Sequence, residues 1–228
     1  PAPEKPVPPT EPKPKPAPEK PVPTDVQPKP APPTPAPEND IFKKDIFTPG
    51  SDVVSKLEAK LNEALKEPLA AFTPVDAKNH WAEKTIDIFV KLNIIEGYED
   101  QTIRPGRDMS RGEFVAILSR IFDVGGANPV ALNDVQGHWA QDAIEKFAQA
   151  GIIGGFSDGT FKPDNAMTRE EMIAILSRIV NKQEAAEDPI EAASQAGEWT
   201  GTVGRADALQ LILDTLKLNS KIKTMLEI

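Results

Sequence analysis

Apolar residues recur at three- and four-residue steps in several stretches of the chain, with polar residues between them. This period is typical of helices that bury one face. In one such stretch, Ser51 or Asp52 can cap a helix and Pro68 can end it. The apolar stripe of this helix is Val54, Leu57, Leu61 and Leu65. The pattern predicts that residues 41–72 contain an amphipathic helix, which docks its stripe on the segment that follows.

From residue 73 the pattern repeats. Residues 76–121 align without a gap to residues 134–179, at an offset of 58, and 21 of the 46 aligned pairs are identical. Each copy consists of an apolar helix, a glycine-bearing loop and a second apolar helix. Units of this kind cannot bury their own apolar stripe, so they are expected to share one core. The boundaries are set at 73–124 for repeat 1 and 131–182 for repeat 2.

A third copy is shorter. Residues 188–197 and 203–213 are similar to the two helices of repeat 2, but the segment between them has lost ten residues, and the His-Trp pair of the other copies is missing. We therefore interpret residues 184–228 as a degenerate repeat 3, whose second helix closes the core. Gly204 can still cap this helix at little cost. Its apolar stripe is Leu209, Ile212, Leu213 and Leu216.

Composition separates the first part of the chain from the repeats. Seventeen of the 24 prolines fall in residues 1–40, where few apolar side chains could offset the entropy of ordering. This segment is predicted to be a disordered spacer rich in polyproline II structure, separating the repeats from a fused N-terminal surface domain.

Charge and residue content exclude several functions. The net charge of −9 argues against nucleic acid as a partner. Membrane insertion is not expected, because the chain has no run of about 18 apolar residues. The absence of cysteine excludes thiol chemistry, and no motif for a serine nucleophile or a phosphate-binding loop occurs. We expect neither enzymatic activity nor a cofactor.

Three motifs occur in the same order in repeats 1 and 2: a D-x-x-x-H-W-A start, an I-I-x-G-[YF]-x-D-x-T loop with a proline three residues on, and an [ST]-R-x-E box before the second helix. Together they resemble the S-layer homology (SLH) domain, over residues 73–218. The resemblance implies an all-α fold in which helix–loop–helix repeats pack as a pseudo-threefold bundle. It also implies an extracellular module that anchors a bacterial surface protein non-covalently to cell-wall polysaccharide, commonly a secondary polymer ending in a pyruvylated aminosugar.

The family's best-known binding residue is the arginine of the third motif, which implies Arg111, Arg169 and, in degenerate form, Arg205. A helix N-terminus favours anions, and a guanidinium matches a carboxylate in two hydrogen bonds. The alternative is a structural pair with a carboxylate of the adjacent repeat. We expect at most two functional sites. The stronger is predicted to combine Arg169 with the loop at 155–163, and Arg205→Ala is predicted to change affinity by less than about 0.5 kcal/mol.

The full candidate ligand-binding set is Arg169, Arg111, Arg205, Trp139, Trp81, Asp158, Asp100, Gly155 and Gly97. Other roles compete with binding at most of these positions. The tryptophans are expected in the core more than stacked on a sugar, and the glycines as left-handed helix ends. The aspartates lie in turns, and a calcium site is disfavoured because the ligand spacing of an EF-hand loop is missing.

Pairs of residues in the same motif positions carry further expectations. Ser110, Thr168, Glu113 and Glu171 are explained by helix capping. The histidines are expected to cap or to close turns, and no metal site is predicted. Asn79 suits a positive φ, whereas Gln101 stands where repeat 2 has Gly159 and is expected to distort the first loop.

The sequence thus favours a non-catalytic, surface-anchoring carbohydrate-binding module located in the cell wall or S-layer. Three alternatives remain open: direct binding of peptidoglycan, a protein–protein adaptor, and the targeting part of a polysaccharide-active enzyme.

Overall fold

The computed structural model describes residues 41–66, 72–181 and 201–227. The predicted spacer at 1–40 and the first helix of repeat 3, at 188–197, lie outside these ranges. The described chain forms a 3-10 turn, Lys44–Ile46, and seven α-helices. They are α1 (Val53–Lys66), α2 (Glu83–Lys91), α3 (Arg111–Ile121), α4 (Gln141–Gln149), α5 (Arg169–Ile179), α6 (Arg205–Leu216) and α7 (Ser220–Leu226). Its only β pairing is in isolated bridges, which confirms the prediction of an all-α protein.

Reciprocal capping boxes begin α3 and α5, as the sequence predicts. The Glu113 N–H donates to the Ser110 hydroxyl at 3.2 Å, and the Glu113 carboxylate accepts the Ser110 N–H at 3.0 Å. Thr168 and Glu171 repeat the arrangement at 3.3 and 3.0 Å. Gly204 takes the equivalent place before α6 without a side-chain acceptor. Each cap uses N–H groups that the first turn of a helix leaves unbonded.

The ends of α2 and α4 correct one prediction. The left-handed residues after these helices are Asn93 (φ 50°) and Gly151 (φ 72°), not Gly97 and Gly155. In both cases the N–H of the left-handed residue and that of the next residue return to carbonyls of the last turn, as in a Schellman motif. The sequence interpretation placed the helix ends too late, because it took the loop glycine for the cap.

A closed ring of backbone hydrogen bonds joins the segments that precede α3, α5 and α6. The Met109 N–H donates to the Val203 carbonyl at 2.8 Å, that of Val203 to Met167 at 3.0 Å, and that of Met167 to Met109 at 2.8 Å. All three residues are buried. The ring places the second helices of the three copies around a common centre, which gives the bundle its pseudo-threefold order.

Helix packing follows the same cyclic order. The first helix of repeat 1, α2, packs against α6 of repeat 3, and the first helix of repeat 2, α4, packs against α3 of repeat 1. Buried apolar residues of all three copies form one continuous cluster. The four stripe residues predicted for repeat 3 all belong to it, as Leu209, Ile212, Leu213 and Leu216. The third copy therefore closes the core, as predicted.

The segment before repeat 1 docks only in part as predicted. Asp52 caps α1 by accepting the Ser55 N–H at 2.8 Å, and Leu57 is buried. Leu65 is 70% exposed, so its assignment to the docked stripe is wrong. The predicted stop at Pro68 lies outside the described residues. Phe42, ahead of the helix, forms a β bridge with Val180 at the end of α5 and is buried in the shared core.

Candidate binding grooves

An aspartate ahead of the first helix of each copy holds the later part of the loop in repeats 1 and 2. Asp134, the first residue of the D-x-x-x-H-W-A motif, accepts the N–H groups of Phe161 and Lys162, both at 2.7 Å. Asp76 does the same for the equivalent N–H groups of repeat 1, at 2.8 and 2.7 Å. Desolvation acts to raise the pKa of Asp134, but these backbone hydrogen bonds outweigh it and leave the pKa below its usual value. We did not predict this role, although both aspartates stand in the repeated motif.

Asp100 and Asp158 close the turns within the loops. The Asp158 carboxylate accepts the hydroxyl and the N–H of Thr160, at 2.6 and 3.0 Å, and Asp100 binds Thr102 at 2.5 and 3.1 Å. These threonine hydrogen bonds, the hydroxyl's first, lower the pKa of both aspartates. The two carboxylates thus serve the turn itself, as their position suggested.

Gln101 adopts φ 62°, close to the 78° of Gly159 in repeat 2. The turn closes identically in both repeats, because the Gln101 N–H donates to Tyr98 at 2.9 Å and the Gly159 N–H donates to Phe156 at 3.0 Å. The expected distortion of the first loop is therefore wrong. Hydrogen bonds from both sides hold the backbone in a conformation that glutamine alone would not favour.

Arg111 connects α3 of repeat 1 to the loop of repeat 2. It is 7% exposed, and its Nε donates to the Phe161 carbonyl at 2.8 Å. Its Nη1 donates to the Glu171 carboxylate at 2.6 Å, and its guanidinium lies 4.5 Å from the Phe161 ring and 5.0 Å from the Phe156 ring. Burial lowers the pKa of Arg111, and Glu171 acts against that shift. Arginine nevertheless stays charged at any physiological pH.

Arg205 has the equivalent place between α6 of repeat 3 and the loop of repeat 1. It is 5% exposed, and its Nε donates to the Ile103 carbonyl at 2.9 Å. Its Nη1 donates to Glu113 at 3.2 Å, and its guanidinium lies 5.5 Å from the Tyr98 ring. Burial likewise lowers its pKa. The structural alternative for these arginines, a pair with a carboxylate of the adjacent repeat, is thus real at both positions.

These contacts correct the predicted pairing of arginine and loop. Arg111, not Arg169, lines the cavity beside the loop of repeat 2. Arg205, predicted to contribute little to ligand affinity, is buried against the loop of repeat 1. Each of these two arginines contacts the loop of the next copy in the cyclic order. Arg205 of repeat 3 contacts the complete loop of repeat 1, so the shortened loop of repeat 3 does not affect it. Arg169 begins α5 and is half-buried. By the same cyclic order it would contact the loop of repeat 3, most of which lies outside the described residues.

The first amides of α3 are not available to an anion, contrary to the expectation from the helix dipole. The Arg111 N–H donates to Asn165 at 3.0 Å and the Gly112 N–H donates to Pro163 at 2.8 Å. The equivalent amides of α6 bond the carbonyls of Arg107 and Pro105, both at 2.9 Å. The first two amides of each helix are therefore bonded to backbone carbonyls of the adjacent copy.

An open cavity of about 260 Å³ lies beside Arg111 and is named the Arg111 groove. It is lined by Arg111, Ile153, Gly154, Gly155, Phe156, Glu171, Ala174, Ile175 and Arg178. Arg178, in the last turn of α5, was not predicted, although Arg120 recurs at the offset of 58. The equivalent positions of repeats 1 and 3 are Arg205, Glu96, Gly97, Tyr98, Glu113 and Arg120, and we name this set the Arg205 groove. Within it, Arg205 bonds Glu113 and faces Tyr98, and Arg120 pairs with Glu96.

Gly155 and Gly97 are required for close approach. A Cβ on Gly155 would lie 2.7 Å from a methyl carbon of Leu132 and 2.8 Å from the Thr160 carbonyl oxygen, and one on Gly97 would overlap the Phe72 ring. At Gly155 the contact with the Thr160 carbonyl would displace the loop beside the groove, whereas at Gly97 the Phe72 side chain would have to move. The structure thus gives both glycines a packing role in place of the predicted helix cap.

Trp81 and Trp139 are 62% and 65% exposed, so the expectation that they pack in the core is wrong. Each indole instead lies beside the preceding histidine ring, with centroids 5.5 and 5.3 Å apart. The histidines close turns as predicted, because Nδ1 of His80 accepts the Ala82 N–H at 3.2 Å and Nδ1 of His138 accepts the Ala140 N–H at 3.1 Å. The indoles are therefore accessible to a ligand.

No helix in the described ranges is both long and apolar enough to cross a membrane. The same part of the chain holds no group of three acidic, histidine or cysteine side chains that could bind a metal ion.

Comparisons with known proteins agree with the repeats. The model of the S-layer homology domain matches residues 75–115 and 131–173. Cell surface glycoprotein 1 of Acetivibrio thermocellus is 34% identical over 119 residues, which cover 46% of this chain and 5% of the relative. The cellulosome-anchoring protein of the same organism is 31% identical over 110 residues, covering 46% and 25%. Endo-1,4-beta-xylanase A of Thermoanaerobacterium saccharolyticum is 35% identical over 119 residues, covering 51% and 10%.

The chain spans a quarter or less of the length of these three relatives. S-layer homology domains are non-catalytic modules that bind cell-wall polymers and anchor surface proteins to the cell wall. The matched ranges coincide with the two copies that carry complete motifs. The chain therefore contains two repeats of the S-layer homology family.

Proposed function

We propose that this chain binds cell-wall polysaccharide through the Arg111 and Arg205 grooves and thereby anchors a bacterial surface protein, without catalysing a reaction. One observation carries the proposal. At each groove, a buried arginine from one repeat meets an aromatic ring and a loop of the next repeat. A cation beside an aromatic face suits a sugar that carries an acidic substituent.

Arg111 retains donors for such a ligand. A guanidinium has five N–H groups. Nε and Nη1 bond Phe161 and Glu171, whereas Nη2 makes no hydrogen bond within the described residues. Because Glu171 holds the guanidinium in place, a ligand carboxylate would meet a preorganised partner and little side-chain entropy would be lost. A pyruvyl ketal on an aminosugar is the substituent that we assign to this position.

Exposed aromatic side chains extend the surface on which a sugar could stack. Phe156 lines the Arg111 groove and is 40% exposed. Trp139 follows His138, whose ring lies 3.1 Å from a Cβ placed on Gly112, next to Arg111. These rings support binding of a glycan longer than one sugar. The names of the relatives, a cell surface glycoprotein and a cellulosome-anchoring protein, support a location outside the cell, at the wall.

Wall retention tests the proposal. Purified sacculi are compared with sacculi from which mild acid has removed the secondary polymer. We expect retention of the full chain on untreated walls only. Arg111→Lys keeps the charge but loses the planar fork, so it should weaken retention about tenfold. Lys91→Gln, an exposed change on α2, is the matched control and should have no effect.

Each other outcome has a defined meaning. Equal retention on both preparations would assign the ligand to peptidoglycan. Retention on neither would overturn wall binding. An Arg111→Lys protein with a lower melting temperature and undiminished retention would show that Arg111 is structural only.

A further inference from the structure

The two grooves differ at one position that bears directly on anion binding. In repeat 2, Arg178 donates through Nη1 to the Ile152 carbonyl at 3.0 Å, and in repeat 1, Arg120 donates to Ile94 at 2.9 Å. The backbone anchoring of the two arginines is thus the same. The residue two positions after each carbonyl differs, since it is Gly154 in repeat 2 and Glu96 in repeat 1.

Glu96 places a carboxylate beside the arginine of its groove. Its Oε1 lies 3.7 Å from Nη2 of Arg120. Gly154 offers no such group, and a Cβ placed on it would meet no atom within 4 Å. Within the described chain, Arg178 pairs with no carboxylate, so its Nη2 is available to the cavity that it lines together with Arg111.

Apart from Glu96, the grooves differ in charge at one further position, because repeat 1 has Arg107 where repeat 2 has Asn165. Arg104 pairs with Asp100 at 3.0 Å and Lys162 with Asp158 at 3.5 Å, in equivalent places. The extra Arg107 of repeat 1 binds Glu113, the carboxylate that Arg205 also uses. Glu96 and Arg107 thus offset each other in the total charge of the Arg205 groove. The grooves differ in where a cation lacks a carboxylate, because Arg178 has none in the described chain, whereas the equivalent Arg120 has Glu96.

We propose that the residue at positions 96 and 154 determines which groove accepts an anionic sugar. Gly154 leaves Arg178 as a second cation beside Arg111, so the Arg111 groove takes a carboxylate-bearing sugar. Glu96 neutralises Arg120 at the equivalent place, so the Arg205 groove binds the same carboxylate-bearing sugar less tightly. This inference rests on the proposed wall-polysaccharide function, which it deepens by assigning a specificity residue and a second ligand-binding arginine.

The test uses NMR titration of the full ¹⁵N-labelled chain with two probes, an N-acetylhexosamine glycoside with and without a pyruvyl ketal. The Phe156 amide reports on the Arg111 groove and the Tyr98 amide on the Arg205 groove. In the unmodified chain, the pyruvylated probe should bind about tenfold more tightly at Phe156 than at Tyr98. The uncharged probe should show no such preference.

Isosteric pairs of variants separate charge from size. Gly154→Glu should weaken the pyruvylated probe at Phe156 about tenfold, whereas Gly154→Gln should change it less than about threefold, because Coulomb repulsion needs the charge. Glu96→Gln should strengthen that probe at Tyr98 about tenfold. Arg178→Gln should weaken it at Phe156 about tenfold. The lost hydrogen bond to the Ile152 carbonyl should lower the melting temperature, but the chain should stay folded at the temperature of the titration.

Several results would overturn the inference while the proposed function stands. One is that neither Gly154→Glu nor Glu96→Gln changes the affinity for the pyruvylated probe. Another is that Gly154→Glu and Gly154→Gln weaken this probe equally. The third is that Arg178→Gln weakens it only because the protein unfolds. If neither probe shifts either amide signal and the chain also fails to bind walls, both the proposed function and this inference are wrong. Wall binding without response to either probe overturns the inference alone.

Discussion

The loops of repeats 1 and 2 have the same backbone conformation, although their residues differ at a position with a positive φ. Repeat 1 has Gln101 and repeat 2 has Gly159 at a positive φ, yet the hydrogen bonds around both are the same. Arg104 and Lys162 also share a positive φ, of 54° and 58°. The bonds from Asp76 and Asp134 are common to both loops. Shared side-chain-to-backbone bonds therefore determine the loop, even where a residue is locally unfavourable.

The same comparison shows where the loops diverge. Repeat 1 has Glu96 and Arg107, and repeat 2 has Gly154 and Asn165 in their places. None of these four side chains makes the hydrogen bonds that hold the loop. Their chemistry can change without changing the backbone, so two copies of one scaffold can bind differently charged groups.

The largest expected effect distinguishes the two buried arginines. Arg111→Ala should cost about 3 kcal/mol of unfolding free energy, because it leaves the partly buried Glu171 carboxylate unpaired, and Arg205→Ala should cost about 2 kcal/mol. The loss is smaller at Arg205 because Glu113 keeps Arg107, whereas Glu171 has no second cation in the described chain. Urea unfolding measures both, with Lys221→Ala as an exposed control expected below about 0.5 kcal/mol. An Arg205→Ala loss as small as that of the control would show that the contacts of Arg205 do not stabilise the fold.

The aspartates that hold the loops should be equivalent. Asp76→Ala and Asp134→Ala each remove two hydrogen bonds to backbone N–H groups, and each should destabilise the fold by about 1–2 kcal/mol. Thermal unfolding of both variants checks this. A loss confined to one repeat would mean that the two loops are held by different interactions.

Exchanging the residues at the positive φ should have opposite effects. Gln101→Gly relieves an unfavourable backbone conformation and should stabilise the protein by about 0.5–1 kcal/mol. Gly159→Gln should destabilise it by a similar or larger amount, because its Cβ would also lie 2.7 Å from the Asn133 side chain. Chemical denaturation of both variants gives the two signs. Equal signs would show that the two turns differ in strain.

The smallest effect concerns pH. The pKa values of Asp100 and Asp158 are lowered, so their contribution to stability is present above the unfolded pKa of about 4 and is lost as pH falls through the lower folded values. Asp100→Asn and Asp158→Asn should each lower the melting temperature slightly at pH 7. The difference from the unmodified chain should vanish near pH 2. A difference that persists at that pH would assign the effect to shape and not to charge.

Much of the fold could be predicted from the sequence, because the helix-capping patterns, the apolar stripes and the internal repeat indicate the same helices. Capping boxes predicted the starts of α3 and α5, and the stripe of repeat 3 predicted its burial. The tryptophans were misassigned because a helix pattern does not say on which side of the first turn an indole lies. Arg178 was missed because an arginine in the last turn of a helix has an ordinary explanation in the helix dipole.

The sequence by itself determined the repeat, the helix starts, the turn-closing residues and the arginine at the head of each second helix, since these depend on residues a few positions apart. Only the tertiary structure decided which arginine meets which loop. That choice depends on the cyclic order of the bundle, in which the second helix of one copy packs against the first helix and loop of the next. Arg111 and Phe161 are 50 residues apart and Arg205 and Ile103 are 102 apart. No local pattern connects residues at such separations, and the closed ring through Met109, Met167 and Val203 brings them together.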